Sequence, residues 1–267
     1  MKSEGDIDLK VVILAGGLPS IISDENDKIP KPMVQIGERP ILWHIMKLYS
    51  YYGFHDFLIC TGYCGEMVKR YFMDYYIYRS DITVDLASND ITIHNNITEP
   101  WNVTIVHTGF ETTTAKRVEK ILSYIEEEDF IVSYGDCISN INIKELVENH
   151  KQSGKALTAT VARPTGRNAI LPVNVKGEME ADDAVVGEMN AWVNACNMVV
   201  NKSLFKKTII QQFDRFEIET LQAMIQQDEV KIYCHNDFWL PVETMRDKLL
   251  LQSMWDCGNI PWKVWAD

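Results

Sequence analysis

The stretch from Lys10 to Ala15 is apolar and rich in β-branched residues, and it stops on the pair Gly16-Gly17, with Lys31 a short way downstream. A run of this kind reads as a buried parallel strand that opens into a tight turn. Glycines at such a strand end let backbone N–H groups approach phosphate oxygens with no Cβ in the way, and a lysine adds a compact cation. Leu14-Ala15-Gly16-Gly17 with Lys31 is therefore a candidate phosphate site, although a strand followed by two glycines also occurs with no ligand. Tyr134-Gly135-Asp136 follows a second apolar run that starts at Phe130. The Asp136 carboxylate then either emerges at the carboxyl end of a sheet, where α/β proteins bind ligands, or closes an Asx turn. Glu243, in the segment Trp239-Leu240-Pro241-Val242-Glu243, is a second carboxylate from a distant part of the chain. Two carboxylates from separate segments suit Mg²⁺, which takes oxygen ligands and draws few of them from protein.

The elements that must position these residues follow from periodicity. Ile41, Ile45, Leu48 and Tyr52 recur at helical spacing behind Pro40, a good first-turn residue, and Gly53 closes the segment. Strands are expected over 56–61, 102–107 and 130–134, with helices over 66–76 and 115–127. This strand-helix alternation predicts an α/β fold, a Rossmann-like, mostly parallel sheet flanked by helices. Residues 82–97 alternate polar and apolar around Ser88-Asn89-Asp90, the pattern of a small inserted hairpin. From 156 to 200, three strand-like runs (LTATVA, ILPVNV and ACNMVV) are separated by Pro, Gly and acids, which reads as a substrate-side subregion. A helix over 247–255 precedes an apolar tail containing Trp262 and Trp265.

The chain has 267 residues, a net charge of −12 and 46% apolar residues, an ordinary globular balance. Such acidity argues against nucleic acid, whose phosphates call for clustered Lys and Arg, but a few focused cations can still hold a small phosphorylated ligand. The cysteines Cys60, Cys64, Cys137, Cys196, Cys234 and Cys257 are scattered without zinc spacing and read as reduced thiols, with Cys60 and Cys64 serving packing. The N-terminus carries acids and lacks the apolar core of a signal peptide, and no run of ~18 apolar residues occurs, so a cytoplasmic protein without a membrane span is expected. The apolar residues Trp255, Ile260, Trp262 and Trp265 point either to a buried C-terminus or to an interface, and a homo-oligomer is expected.

Longer stretches carry a resemblance. VVILAGGL, IPKPMVQIGERPILWHIMKLYS, DFLICTGY, EPWNVTIVHTG, YGD, FWLPVETMRDK and the terminal PWKVW make the chain similar to the sugar-phosphate nucleotidylyltransferases, most of all to the glucose-1-phosphate cytidylyltransferases, from about Lys10 to Trp265. That resemblance implies one nucleotide-diphospho-sugar transferase domain over 1–267, with a nucleotide-binding half at 10–137 and a sugar-phosphate-binding half with the tail at 138–267. It implies transfer of a nucleotidyl group, cytidylyl for choice, from a nucleoside triphosphate such as CTP to a sugar 1-phosphate, with Mg²⁺ as cofactor. Carried over by position, Leu14, Ala15, Gly16, Gly17 and Leu18 look like the nucleotide-binding strand end, and Lys31 like the phosphate-contacting lysine. Thr112, Arg117 and Gly135 match nucleotide-side positions, Asn194 matches the sugar loop, and Asp136 with Glu243 looks like the metal pair. The sequence also departs from the family. Pro19-Ser20-Ile21-Ile22 stands where Gly-Thr-Arg-Leu is usual, so the triphosphate-bracing arginine is missing, and Lys28 and Arg39 are the nearby cations that could compensate. Glu243 replaces Asp, Ala115-Lys116 replaces Gly-Gly, Cys137 replaces Gly, and Asn194-Ala195-Cys196 replaces Asn-Gly-Gly. These changes keep open a second reading, a catalytically impaired paralogue that binds nucleotide or acts as a regulatory or partner subunit.

Overall fold

The structure is a computed structural model and describes residues 9–17, 29–96, 98–163, 192–208 and 215–266. Along the first half run β1 (Val11–Ala15), β2 (Gln35–Ile36), β3 (Arg39–Pro40), α1 (Ile41–Tyr51), β4 (Asp56–Thr61), α2 (Gly65–Met73), α3 (Tyr75–Tyr78), β5 (Ser80–Asp85), β6 (Asp90–Asn96), β7 (Asn102–His107) and α4 (Thr114–Ile121). There follow β8 (Asp129–Tyr134), β9 (Cys137–Ser139), α5 (Ile143–Ser153), β10 (Leu157–Ala162), β11 (Val193–Asn201), α6 (Lys202–Thr208), α7 (Leu221–Gln226), β12 (Val230–His235), β13 (Trp239–Pro241) and α8 (Met245–Asp256). No helix among the described residues is long and apolar enough to cross a membrane.

The main sheet has seven strands in the order β12-β10-β11-β8-β1-β4-β7. β1 lies in its middle, parallel to β4 on one side and β8 on the other. That position explains its composition. Val11, Ile13 and Ala15 face a cluster formed with α1, α5 and α8, whereas Val12 and Leu14 face a second cluster with α4, α6 and α7. A strand covered on both faces has no polar side to show, hence the unbroken apolar run.

The expected alternation is present, with differences that have physical causes. The helix expected over 66–76 breaks at Asp74 into α2 and α3, and the helix expected over 115–127 ends at Ile121, where a 3₁₀ turn over Leu122–Tyr124 takes over. The inserted hairpin is β5 and β6, paired antiparallel. The substrate-side subregion does not stand apart, because β10 and β11 are members of the main sheet and β11 runs antiparallel to β8. The ILPVNV run between them lies outside the described residues. Cys60 is buried in β4 and Cys64 precedes α2, in accord with a packing role for the first.

The last two tryptophans are buried, whereas Trp255 and Ile260 are half-buried. Trp262 and Trp265 are 1% and 8% exposed, and both pack on the cluster around α1. The His44 ring, on α1, makes edge contacts with Trp43, Trp255 and Trp262, and the Trp262 indole N–H donates to His44 Nδ1 at 3.3 Å.

Candidate active site

The carboxyl ends of β1 and β8 meet at the point where the strand order reverses, the place where open α/β sheets leave a crevice. A cleft of about 440 Å³ opens there. Leu14, Ala15, Gly16, Gly17, Lys31, Thr112, Arg117, Gly135 and Asp136 all line it, although they come from four separate parts of the chain. Leu18, the Pro19-to-Ile22 stretch and Lys28 lie outside the described residues.

The two glycines are not equivalent. Among the described residues a Cβ on Gly17 would meet nothing within 4 Å, whereas a Cβ on Gly16 would lie 2.2 Å from Arg117 Nη1. Arg117, on α4, is only 4% exposed. Its guanidinium donates to the carbonyls of Gly16, Phe110 and Thr61 at 2.5, 3.2 and 3.4 Å and to the Thr108 hydroxyl. Burial lowers its pKa from the usual guanidinium value. A buried cation needs such partners, and here they are mostly backbone carbonyls at the ends of β1, β4 and β7. Arg117 therefore ties the glycine turn to the neighbouring strand ends and lines the cleft from behind it.

Lys31 and Asp136 face each other across the cleft. Pro30 and Pro32 hold the short turn that carries Lys31, and its ammonium donates to Asp136 Oδ2 at 3.3 Å. Both side chains are between a quarter and a third exposed, so each can reach a ligand. Gly135 is needed for close packing, since a Cβ there would lie 3.0 Å from Pro32 Cγ and 3.2 Å from the Leu14 carbonyl. Glu243 does not line this cleft, yet its backbone is held beside it. β13 pairs antiparallel with β9, and Val242 N–H donates to the Asp136 carbonyl at 2.8 Å. The Glu243 N–H then donates to Asp247 Oδ2, the carboxylate that with Thr244 forms the capping box of α8. Asp136 and Glu243 thus sit on adjoining segments, with Glu243 exposed.

Asn194 is not among the cleft residues. It sits at the start of β11, and because Asn197 pairs with Ser133 in antiparallel register, that start lies at the same sheet end as Asp136. Its Oδ1 accepts from Cys196 N–H at 2.9 Å. Sequence reading missed Thr113, Phe110 and Arg215, which also line the cleft. Thr113 caps α4 without a side-chain hydrogen bond, and among the described residues its buried hydroxyl has no partner. The triplet Thr112-Thr113-Thr114 ahead of a helix was a readable signal, because hydroxyls at a helix start serve anions well. Arg215 had no signal, being brought to the cleft only by the fold. Arg39, one of the cations expected to compensate for the missing loop arginine, does not reach the cleft, since its guanidinium carbon lies 5.5 Å from the Trp43 ring centroid and lines a different depression.

Known proteins carry the same chain organisation. The glucose-1-phosphate cytidylyltransferase of Salmonella typhimurium (strain LT2) is 39% identical over 258 residues, covering 96% of this chain and 100% of that one, and the enzyme of Salmonella typhi matches equally. The crystal structure of HddC from Yersinia pseudotuberculosis complexed with GMP-PN superposes with a TM-score of 0.62 at 19% identity, over 92% of this chain and 99% of that one, a likeness of fold alone. The Nucleotidyl transferase family matches residues 10–169, more than half of the chain, and this chain belongs to that family.

Proposed function

We propose that the cleft at the ends of β1 and β8 transfers a cytidylyl group from CTP to a hexose 1-phosphate, glucose 1-phosphate for choice, with release of pyrophosphate. The observation that carries this reading is the convergence of Gly17, Lys31 and Asp136 on one cleft, in a chain alike over its whole length to a glucose-1-phosphate cytidylyltransferase. In the reaction a sugar-phosphate oxygen bonds to the α-phosphorus while the bond from that phosphorus to the bridging oxygen breaks. The protein's share is in-line positioning and charge stabilisation.

The backbone at Gly17 and the start of α4 receive phosphate oxygens, and Lys31 offsets their charge from the opposite wall. Arg117 keeps the glycine turn in place. Arg215 supplies the exposed cation for which the family uses a loop arginine, and this supports an active enzyme over the impaired paralogue. Asp136 and Glu243 would hold Mg²⁺, whose charge would stabilise the phosphate oxygens. Asn194, at the same sheet end, is assigned to the sugar-phosphate side. The exposed apolar face of the hairpin, with Ile82 opposite Ile93 and Val84 opposite Ile91, supports a homo-oligomer, and the phosphorylated substrates suit the cytoplasm.

Asp136→Asn tests the assignment. Pyrophosphate release from CTP and glucose 1-phosphate is expected to fall by roughly two orders of magnitude or more with the melting temperature unchanged, because the carboxylate faces the cleft and fills no core. A variant as fast as the parent would remove Asp136 from the site.

A further inference from the structure

A second gathering of cations lies away from the cleft, where the β2–β3 ribbon meets α2 and α3. Arg39 on β3, Arg70 in the last turn of α2 and Arg79 just past the end of α3 line one depression of about 480 Å³. Glu38 and Asp74 line it too, yet among the described residues none of the three arginines forms an ion pair. Three cations against two carboxylates leave a local excess of positive charge in a chain of net charge −12. Arg39 rests over the Trp43 ring and beside the Tyr71 hydroxyl, contacts that leave its charge unopposed. The Nε of Arg79 is buried and has no hydrogen-bond partner among the described residues. A buried donor of this kind is costly until an acceptor meets it, and the oxygens of a phosphate ester match the guanidinium fork.

The remaining wall is aromatic and apolar. Tyr71 and Tyr75 hold each other with ring centroids 5.4 Å apart, and both are half-buried. Tyr78 lines the same depression but is 83% exposed, so its ring is available to a flat partner. Met33 and Met67 add adaptable apolar surface beside the rings. A planar base stacks well on such a ring, and a depression of this size holds a ligand of nucleotide dimensions.

We propose that this depression is a second ligand site, one that takes a nucleoside monophosphate. The phosphate lies among Arg39, Arg70 and Arg79, and the base lies on Tyr78. Among the described residues the depression shares no lining side chain with the cleft, so the site stands whether or not the cleft transfers a cytidylyl group.

Titration calorimetry of the full-length protein tests it, with UMP and GMP as the pyrimidine and purine probes. Both are expected to bind with dissociation constants below about 1 mM, and uridine and inorganic phosphate, which each lack one half of the ligand, at least about tenfold more weakly. Arg70→Gln and Arg79→Gln are each expected to weaken GMP by about tenfold, and Tyr78→Ala by a similar factor. Arg70 and Tyr78 are exposed, so their variants are expected to keep the parent melting temperature even if Arg79→Gln lowers it. Lys31→Ala, in the cleft, is expected to leave GMP binding unchanged. No heat with either nucleotide would overturn the site, and so would GMP binding that Lys31→Ala removes while Arg70→Gln and Tyr78→Ala keep it. Inorganic phosphate binding as tightly as GMP would overturn the nucleotide class.

Discussion

Arg117 and Lys31 are both basic and both at the cleft, but their partners assign them different work. Arg117 is buried and spends its donors on the protein's own oxygens, so Arg117→Ala takes a buried donor from the carbonyls of Gly16 and Phe110 and unties the glycine turn from the neighbouring strand ends. A loss of about 3 kcal/mol is expected, read as a lower denaturant midpoint together with lower turnover. Lys31 is partly exposed, and among the described residues its one ion pair is with Asp136. Lys31→Ala is expected to weaken CTP binding by roughly tenfold to a hundredfold with little change in midpoint, measured by titration calorimetry. Equal losses of stability in the two variants would erase the distinction. Both residues line the cleft, and the sequence pointed to that strand end because the glycine turn and the lysine sit in a long family-like stretch. The oxygens that the Arg117 guanidinium meets were not legible, since they belong to separate strand ends that only the fold brings together.

At the level of elements, α1 and the tail depend on a buried, neutral histidine. His44 Nε2 donates to the Ile36 carbonyl at 3.0 Å when Nδ1 accepts from Trp262. Burial, with the charge of Arg39 adding to it, lowers its pKa from 6.5 to about 4. An unfolded chain takes up the proton as pH falls through 6.5, and the folded one refuses it until about 4. The linked stability is therefore complete above pH 6.5 and is lost between 6.5 and 4, by about 3 kcal/mol. Urea unfolding at pH 7.5 and 4.5 should show this loss in the parent and a smaller one in His44→Gln; identical losses would rule out His44 as the source. Periodicity made α1 legible because its apolar spacing is regular. The ribbons β2–β3 and β9–β13 escaped notice because strands of two or three residues show no period. The ACNMVV run was legible as a strand, but the antiparallel direction of β11 was not, because direction is set by the connection before it.

Across the whole molecule, the two sequence halves build one sheet, with β1, β4, β7 and β8 from the first and β10, β11 and β12 from the second. The cleft lies near their junction, and its cations Lys31, Arg117 and Arg215 concentrate positive charge within a chain of net charge −12. Focused cations in a cleft attract phosphorylated ligands despite an acidic surface, and a divalent ion would add to them. Chelation of divalent cations with EDTA is accordingly expected to abolish pyrophosphate release, and added Mg²⁺ to restore it. The family's fold and reaction class were legible because its motifs are long. The presence of Arg215 at the cleft was not, because it lies nearly two hundred residues along the chain from the glycines that line the same cleft. The measurement that bears most directly on the account is pyrophosphate release by the native chain, across the four nucleoside triphosphates and a panel of sugar 1-phosphates in Mg²⁺. The account predicts saturable turnover that is fastest with CTP and glucose 1-phosphate. Nucleotide binding with no turnover for any pair would contradict it and leave the chain a binding or regulatory paralogue.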